Sequence, residues 1–219
     1  MHSKYSLFKN GNAPYNERNG GNKSMCGRFY TDNEIAADIL RRAGRTADNL
    51  ELPNTGDIYP SQQALILSGR DTNFYAETMP WGFPRFDGKG LLINARAETA
   101  AEKKTFKDSV LHRRCLIPAR HFYEWDQKKN KIAFRYADQH TIFMAGFYRQ
   151  FAEEDRFIIV TTSANDSMRP VHDRMPLIVP EEHLADWIYN QDAALEMLAQ
   201  PSPLLQRFQE EEQQILPLA

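Results

Sequence analysis

Eight short runs of β-branched and aromatic residues, at 64–67, 75–81, 91–95, 115–118, 132–136, 141–148, 157–161 and 176–179, are separated by turn chemistry, and nothing else in the chain narrows its fold as much. Such side chains sit well on a pleated surface, and each run is shorter than a helix of common length, so the chain must be built on sheet. Helical periodicity interrupts the runs at 98–112, 164–169 and 181–189, with a weaker stretch at 192–212. Ahead of them Thr31 followed by Glu34 has the form of a capping box, and Ile35, Ile39 and Leu40 supply an apolar face, which predicts a helix over 32–43. Strands and helices do not alternate one for one, as a doubly wound sheet demands, and no repeat of about 20–50 residues is visible. The expected class is α+β, with a mixed or antiparallel, barrel-like β-sheet and flanking short helices.

Composition sets the scale. The 219 residues, 42% hydrophobic and 11% aromatic, are enough to bury one sizeable core, so one domain is expected. Residues 1–24, rich in Asn and Gly, have little to bury and read as a disordered extension or a propeptide, leaving the domain at 25–219. No apolar run approaches the roughly 18 residues needed to cross a bilayer, and the N-terminal stretch lacks the form of a secretory signal. A cytoplasmic monomer with no membrane attachment is expected. The two cysteines, Cys26 and Cys115, lie far apart and indicate neither a disulfide framework nor a metal site, and no cofactor motif is present.

The formal net charge of -2 averages over unlike regions. Residues 181–219 carry eight Asp/Glu against one Arg, whereas residues 1–180 carry 26 Lys/Arg against 21 Asp/Glu. A weakly basic body with an acidic tail is compatible with a nucleic-acid groove without requiring one. The densest basic stretch holds Lys103, Lys104, Lys107, Arg113, Arg114 and Arg120, which reads equally well as a solvated face or as a set of phosphate contacts.

Four residues stand out for chemistry. Cys26 follows Met25, a plausible translation start, and removal of everything before it would leave one residue bearing both an α-amine and a thiol. An α-amine with a pKa of roughly 7.7–8.0 is partly neutral at cytosolic pH and attacks aldehydes to form a Schiff base. The neighbouring sulfur then closes a five-membered thiazolidine. Glu124, within Phe122-Tyr123-Glu124-Trp125, sits among aromatic residues where desolvation favours its neutral form and suits it to shuttle protons; the plain alternative is a wet edge-strand carboxylate. Asn94 ends an apolar run, where an amide can orient a nucleophile or a sugar oxygen, or simply close a strand. His172, beside Asp173 and Arg174, has the form of a general acid, although a lone histidine is more often structural.

The motifs Met25-Cys26-Gly27-Arg28-Phe29, Trp81-Gly82-Phe83, Ile93-Asn94-Ala95-Arg96-Ala97-Glu98-Thr99, Cys115-Leu116-Ile117-Pro118, Phe122-Tyr123-Glu124-Trp125 and His172-Asp173-Arg174-Met175-Pro176 occur in that order. In this the chain resembles the SOS-response-associated peptidase (SRAP) family, from Met25 to about Trp187. The resemblance implies binding to single-stranded DNA and a covalent link between the N-terminal cysteine and an abasic site, in a DNA damage response. It implies catalytic roles for Cys26, Asn94, Glu124 and His172, phosphate contacts from Arg28, Arg96 and Arg174, and a base-stacking or wedging role for Phe83 or Phe86. A DNA-bound protein of this kind would be nucleoid-associated. Two other functions stay open: a thiol peptidase using Cys26 and His172, with self-cleavage releasing residues 1–25, and a noncovalent DNA-binding module.

Overall fold

The computed structural model describes residues 26–44, 55–152 and 154–208; the extension expected over 1–24 lies outside them. In chain order the elements begin with β1 (Phe29–Thr31), α1 (Asn33–Arg42), β2 (Gly56–Ile58), β3 (Gln63–Arg70), β4 (Asn73–Pro80), β5 (Phe83–Pro84), β6 (Leu91–Leu92) and β7 (Asn94–Arg96). There follow α2 (Ala97–Ala100), α3 (Lys107–His112), β8 (Arg114–Ala119), β9 (His121–Trp125), β10 (Lys131–Arg135), β11 (Ile142–Phe151) and β12 (Glu154–Ser163). The chain closes with β13 (Arg174–Pro176), a 3-10 turn at Glu181–His183, α4 (Leu184–Tyr189), α5 (Gln191–Met197) and β14 (Gln206–Phe208).

The long apolar runs assemble into a seven-stranded sheet of order β13-β12-β11-β8-β3-β4, with β7 added parallel to β12. Successive side chains of a strand point to opposite faces, so a sheet buried on both faces needs continuous apolar runs. That is what these strands supply. Leu65, Leu67, Leu116, Phe143, Phe147 and Val160 join a core with Ile35 and Ile39 of α1 and Trp187 of α4. The alternate residues Ile66, Cys115, Ile117, Met144 and Ile159 join a second core with Phe29, Phe122 and Phe134. Those three aromatics belong to the smaller sheet, five-stranded in the order β14-β10-β9-β1-β2. Burying each such side chain contributes roughly 1.5–3 kcal/mol.

One cation ties the helices to this sheet. Arg114, 6% exposed, opens β8 and donates to the carbonyls of Val110 (2.9 Å) and Leu111 (2.6 Å) in α3 and of Trp187 (2.5 Å) and Ile188 (3.0 Å) in α4. The last carbonyls of a helix have no partner within it, and here a single guanidinium serves both ends. Gly146 marks the tightest packing on β11: a Cβ there would lie 2.3 Å from Ile117 Cδ1 and 2.7 Å from the Ile158 carbonyl oxygen.

The α+β class holds, but the larger sheet does not close into a barrel. Across the gap between β4 and β12 the ladder comes to a single bridge, Trp81 with Phe157, among the described residues. The cap of α1 is Asp32 rather than Thr31; its side chain accepts from the Ile35 N–H at 3.0 Å. The helix expected over 98–112 is two short ones, because Lys103, Lys104 and Thr105 offer no apolar face to hold a continuous helix on the sheet. At 164–169 the chain turns instead of forming a helix. The Asn165 side chain accepts from the Ser167 N–H (3.0 Å) and hydroxyl (2.6 Å), a local bond that competes with helical pairing. Of the weak stretch 192–212, α5 accounts for the start and β14 ends the described part. Among the described residues no helix is long and apolar enough to cross a membrane.

Candidate functional site

The smaller sheet positions the cysteine. β1 pairs antiparallel with β9, Phe29 opposite Phe122, and the Tyr123 N–H donates to the Arg28 carbonyl at 3.0 Å. Continuing that register backwards brings the residues before β1 alongside Glu124. There the backbone nitrogen of Cys26 donates to Glu124 Oε1 at 2.5 Å. Both residues are buried, Cys26 at 0% and Glu124 at 3% exposure. Cys26 is also held at φ 41°, a left-handed conformation that costs a residue with a Cβ about 1–2 kcal/mol. Strain of this kind persists where surrounding contacts impose it.

Burial, and next the charge of Glu124, push the Cys26 thiol well above its ordinary range. The resting sulfur is therefore an S–H, and a thiolate would have to form beside a carboxylate in an apolar setting. The nitrogen, by contrast, donates its N–H to that carboxylate.

Asn94 opens β7 opposite Ile159, and His172 lies just before β13 at 7% exposure. Their chain neighbours Ile93 and Val171 belong to the same apolar core as Cys26, so the three stretches converge on one side of the larger sheet. The Trp81 indole N–H donates to the Ile93 carbonyl at 3.0 Å and steadies the strand just before Asn94. His172 Nδ1 accepts from the Arg174 N–H at 3.0 Å. The Asp173 carboxylate also lies 3.0 Å from Nδ1, but its side chain is 88% exposed and an ion pair would need that nitrogen protonated. A backbone N–H has a fixed direction, so Nδ1 is the acceptor and the neutral ring carries its proton on Nε2.

The residues expected to meet DNA divide. Arg96 is exposed at the N-cap of α2, and Phe86, at the tip between β5 and β6, is 109% exposed. Phe83 corrects the sequence reading: at 1% exposure it packs against Phe106, Phe147 and Phe151 and has no face to offer a base. Arg174 is largely committed within the protein. Its guanidinium bonds both carboxylate oxygens of Glu98 and donates to the Thr161 carbonyl at 2.7 Å. Arg28 pairs with Asp57 at 3.3 Å and lies over the rings of Tyr59 (4.5 Å), Trp125 (5.2 Å) and Tyr123 (5.6 Å). The sequence reading missed Glu98 as Arg174's partner and the aromatic walls around Arg28. The first stood inside a recognised motif with no sign of its target; the others are separated from Arg28 by tens of positions. Among the described residues no group of three or more His, Cys, Asp or Glu could hold a metal.

A buried cysteine whose backbone nitrogen donates to a buried carboxylate defines a class of α+β protein with its site where the stretch before β1 meets β9. The chain belongs to the SOS response associated peptidase (SRAP) family, whose model matches residues 25–219. It is 32% identical over 180 residues to the abasic site processing protein YedK of Escherichia coli K12, covering 75% of this chain and 79% of that one. It is 31% identical to the abasic site processing protein YoqW of Bacillus subtilis, covering 75% and 80%. Crystal structures of proteins from Bordetella bronchiseptica (TM-score 0.67, 22% identity, 83% of this chain and 98% of that one) and Bacteroides thetaiotaomicron (0.68, 22%, 79% and 86%) share its fold.

Proposed function

We propose that this protein processes abasic sites in single-stranded DNA, capturing the sugar aldehyde on Cys26 as a thiazolidine that shields the lesion. The observation that carries this reading is the buried 2.5 Å bond from the Cys26 nitrogen to Glu124. Residues 1–25 must first be removed, by processing or self-cleavage, so that this nitrogen becomes an amine. Glu124 then takes a proton from the α-ammonium group. His172, with its proton on Nε2, donates to the ring oxygen as the sugar opens, and the Asn94 amide holds the sugar. The amine adds to the aldehyde carbon and water leaves, giving an imine. The S–H adds across that C=N bond, sulfur to carbon and hydrogen to nitrogen, and the ring closes. Beginning with the amine suits a thiol that burial keeps protonated.

Arg96 and Arg28 hold phosphates in this reading, and Phe86 wedges beside a base. The named relatives, abasic site processing proteins at 31–32% identity, support the substrate class. Replacing Cys26 with Ala is expected to abolish a denaturation-resistant complex with abasic single-stranded DNA; undiminished cross-linking by that variant would overturn the thiazolidine. A general thiol peptidase is disfavoured by the buried S–H, and turnover of unrelated peptides by the parent protein would revive it.

A further inference from the structure

The basic stretch of the sequence separates into two kinds of cation. Arg114 is buried under two helix ends, Arg120 pairs with Asp32 at 2.9 Å and with Glu34 at 2.9 Å, and Arg113 is bonded to Asp108. These serve the fold. Lys103, Lys104 and Lys107 do not: all three are exposed and make no ion pair among the described residues. The nearby carboxylates leave most of this charge uncancelled, since Asp108 is taken by Arg113 and His112, and exposed Glu102 offsets one lysine.

The backbone turn that carries the lysines is hydrogen-bonded on both sides. The Lys103 N–H donates to the Thr99 carbonyl at 3.0 Å, and the Lys103 carbonyl accepts from Phe106 (2.9 Å) and Lys107 (2.8 Å). Phe106, 6% exposed, anchors this turn against Phe147 (5.5 Å) and Phe83 (6.5 Å). Phe83 begins the hairpin that carries Phe86 at its tip, so the lysine turn and that exposed aromatic are braced by one aromatic cluster. At the other end of α2 stands exposed Arg96, the last residue of β7, which begins with Asn94. The four residues of α2, roughly 6 Å at helical rise, and the turn that follows them separate Arg96 from Lys103.

We propose that Arg96, Lys103, Lys104 and Lys107 form a track for the phosphates of the single strand flanking the lesion, leading away from the capture site over α2. The proposal rests on the reading of the site as one that takes single-stranded DNA. It also assigns the work of gripping the flanking strand to these side chains and not to Arg174, whose two Nη groups are engaged by Glu98 and Thr161. Lysines acting as point charges on phosphates give sequence-independent contacts whose strength depends on salt.

The test is fluorescence anisotropy of an unmodified single-stranded oligonucleotide titrated at several salt concentrations, with the full chain and its K103Q/K104Q/K107Q variant. Each single-strand phosphate contact adds about 0.7 to the log–log salt slope, so losing three is expected to lower it by about 2 and to weaken low-salt binding at least tenfold. The K103R/K104R/K107R variant keeps the charge and is expected to retain the parent's slope. An unchanged slope in the glutamine variant, or a parent that does not bind the strand, would overturn the track. Covalent capture of abasic DNA reports separately on the reading of the site itself. Failure of every protein to cross-link, with the slope difference intact, overturns the capture reading and leaves the track standing.

Discussion

The seven-stranded sheet and the five-stranded sheet share one core but answer to different demands. The larger is buried on both faces, so β8 and the stretches 142–147 of β11 and 157–162 of β12 are buried throughout. The smaller turns Phe29, Phe122 and Phe134 inward and lodges Glu124, a carboxylate at 3% exposure, in the same interior against Cys26. Burying a carboxylate opposes folding unless hydrogen bonds offset it, and a left-handed cysteine adds strain. Packing governs the first sheet. The second accepts local costs that packing does not need, which is where chemistry is expected.

Substitutions that separate these demands follow in order of their effect on stability. Phe147→Ala, at 0% exposure in the core that the larger sheet forms with α1 and α4, is expected to cost about 3–5 kcal/mol in chemical denaturation. Gly146→Ala, pressing a methyl group onto Ile117 and the Ile158 carbonyl, is expected to cost about 2–3 kcal/mol. A cost near zero in either would mean that the larger sheet is not the stabilising unit.

Asp32→Ala removes the cap of α1 and is expected to cost about 1 kcal/mol. This contribution has a pH signature. Burial pushes the Asp32 carboxyl up, but bonds from Arg120 and the Ile35 N–H outweigh it and leave the group below its ordinary value of 3.8. A carboxyl lowered in the folded state stabilises above its unfolded pKa and loses that contribution as pH falls through the folded one. The gap between parent and variant should therefore hold at neutral pH and narrow only below about pH 4.

Glu124→Gln is expected to change stability least, by less than about 1 kcal/mol, since the amide still accepts from the Cys26 nitrogen and no charge is buried. Its effect belongs to the other scale: single-turnover capture of abasic DNA should slow by about 100-fold or more. A variant that captures at the parent's rate would remove Glu124 from the chemistry and make its burial an unexplained cost.

The same contrast explains what the sequence disclosed. The runs at 115–118, 141–148 and 157–161 announce themselves because two buried faces require uninterrupted apolar residues. β1, β2, β9 and β14 did not, since they are short and mix polar with aromatic side chains whose partners lie far along the chain. Barrel closure turned on one pairing, Trp81 with Phe157, that no local pattern encodes. At the site, the motif around Glu124 was visible as an oddity, but its bond to the Cys26 nitrogen depends on the register of β1 against β9. Phe83 misled because an aromatic beside a Trp-Gly pair looks the same in sequence whether it faces solvent or Phe106 and Phe147.

The central claim is that the nitrogen held by Glu124 acts as the nucleophile once residues 1–25 are gone. Intact-mass measurement of the covalent complex formed with an abasic single-stranded oligonucleotide tests it most directly. The account predicts the mass of residues 26–219 plus the oligonucleotide less one water. A complex that still carries residues 1–25 would contradict it.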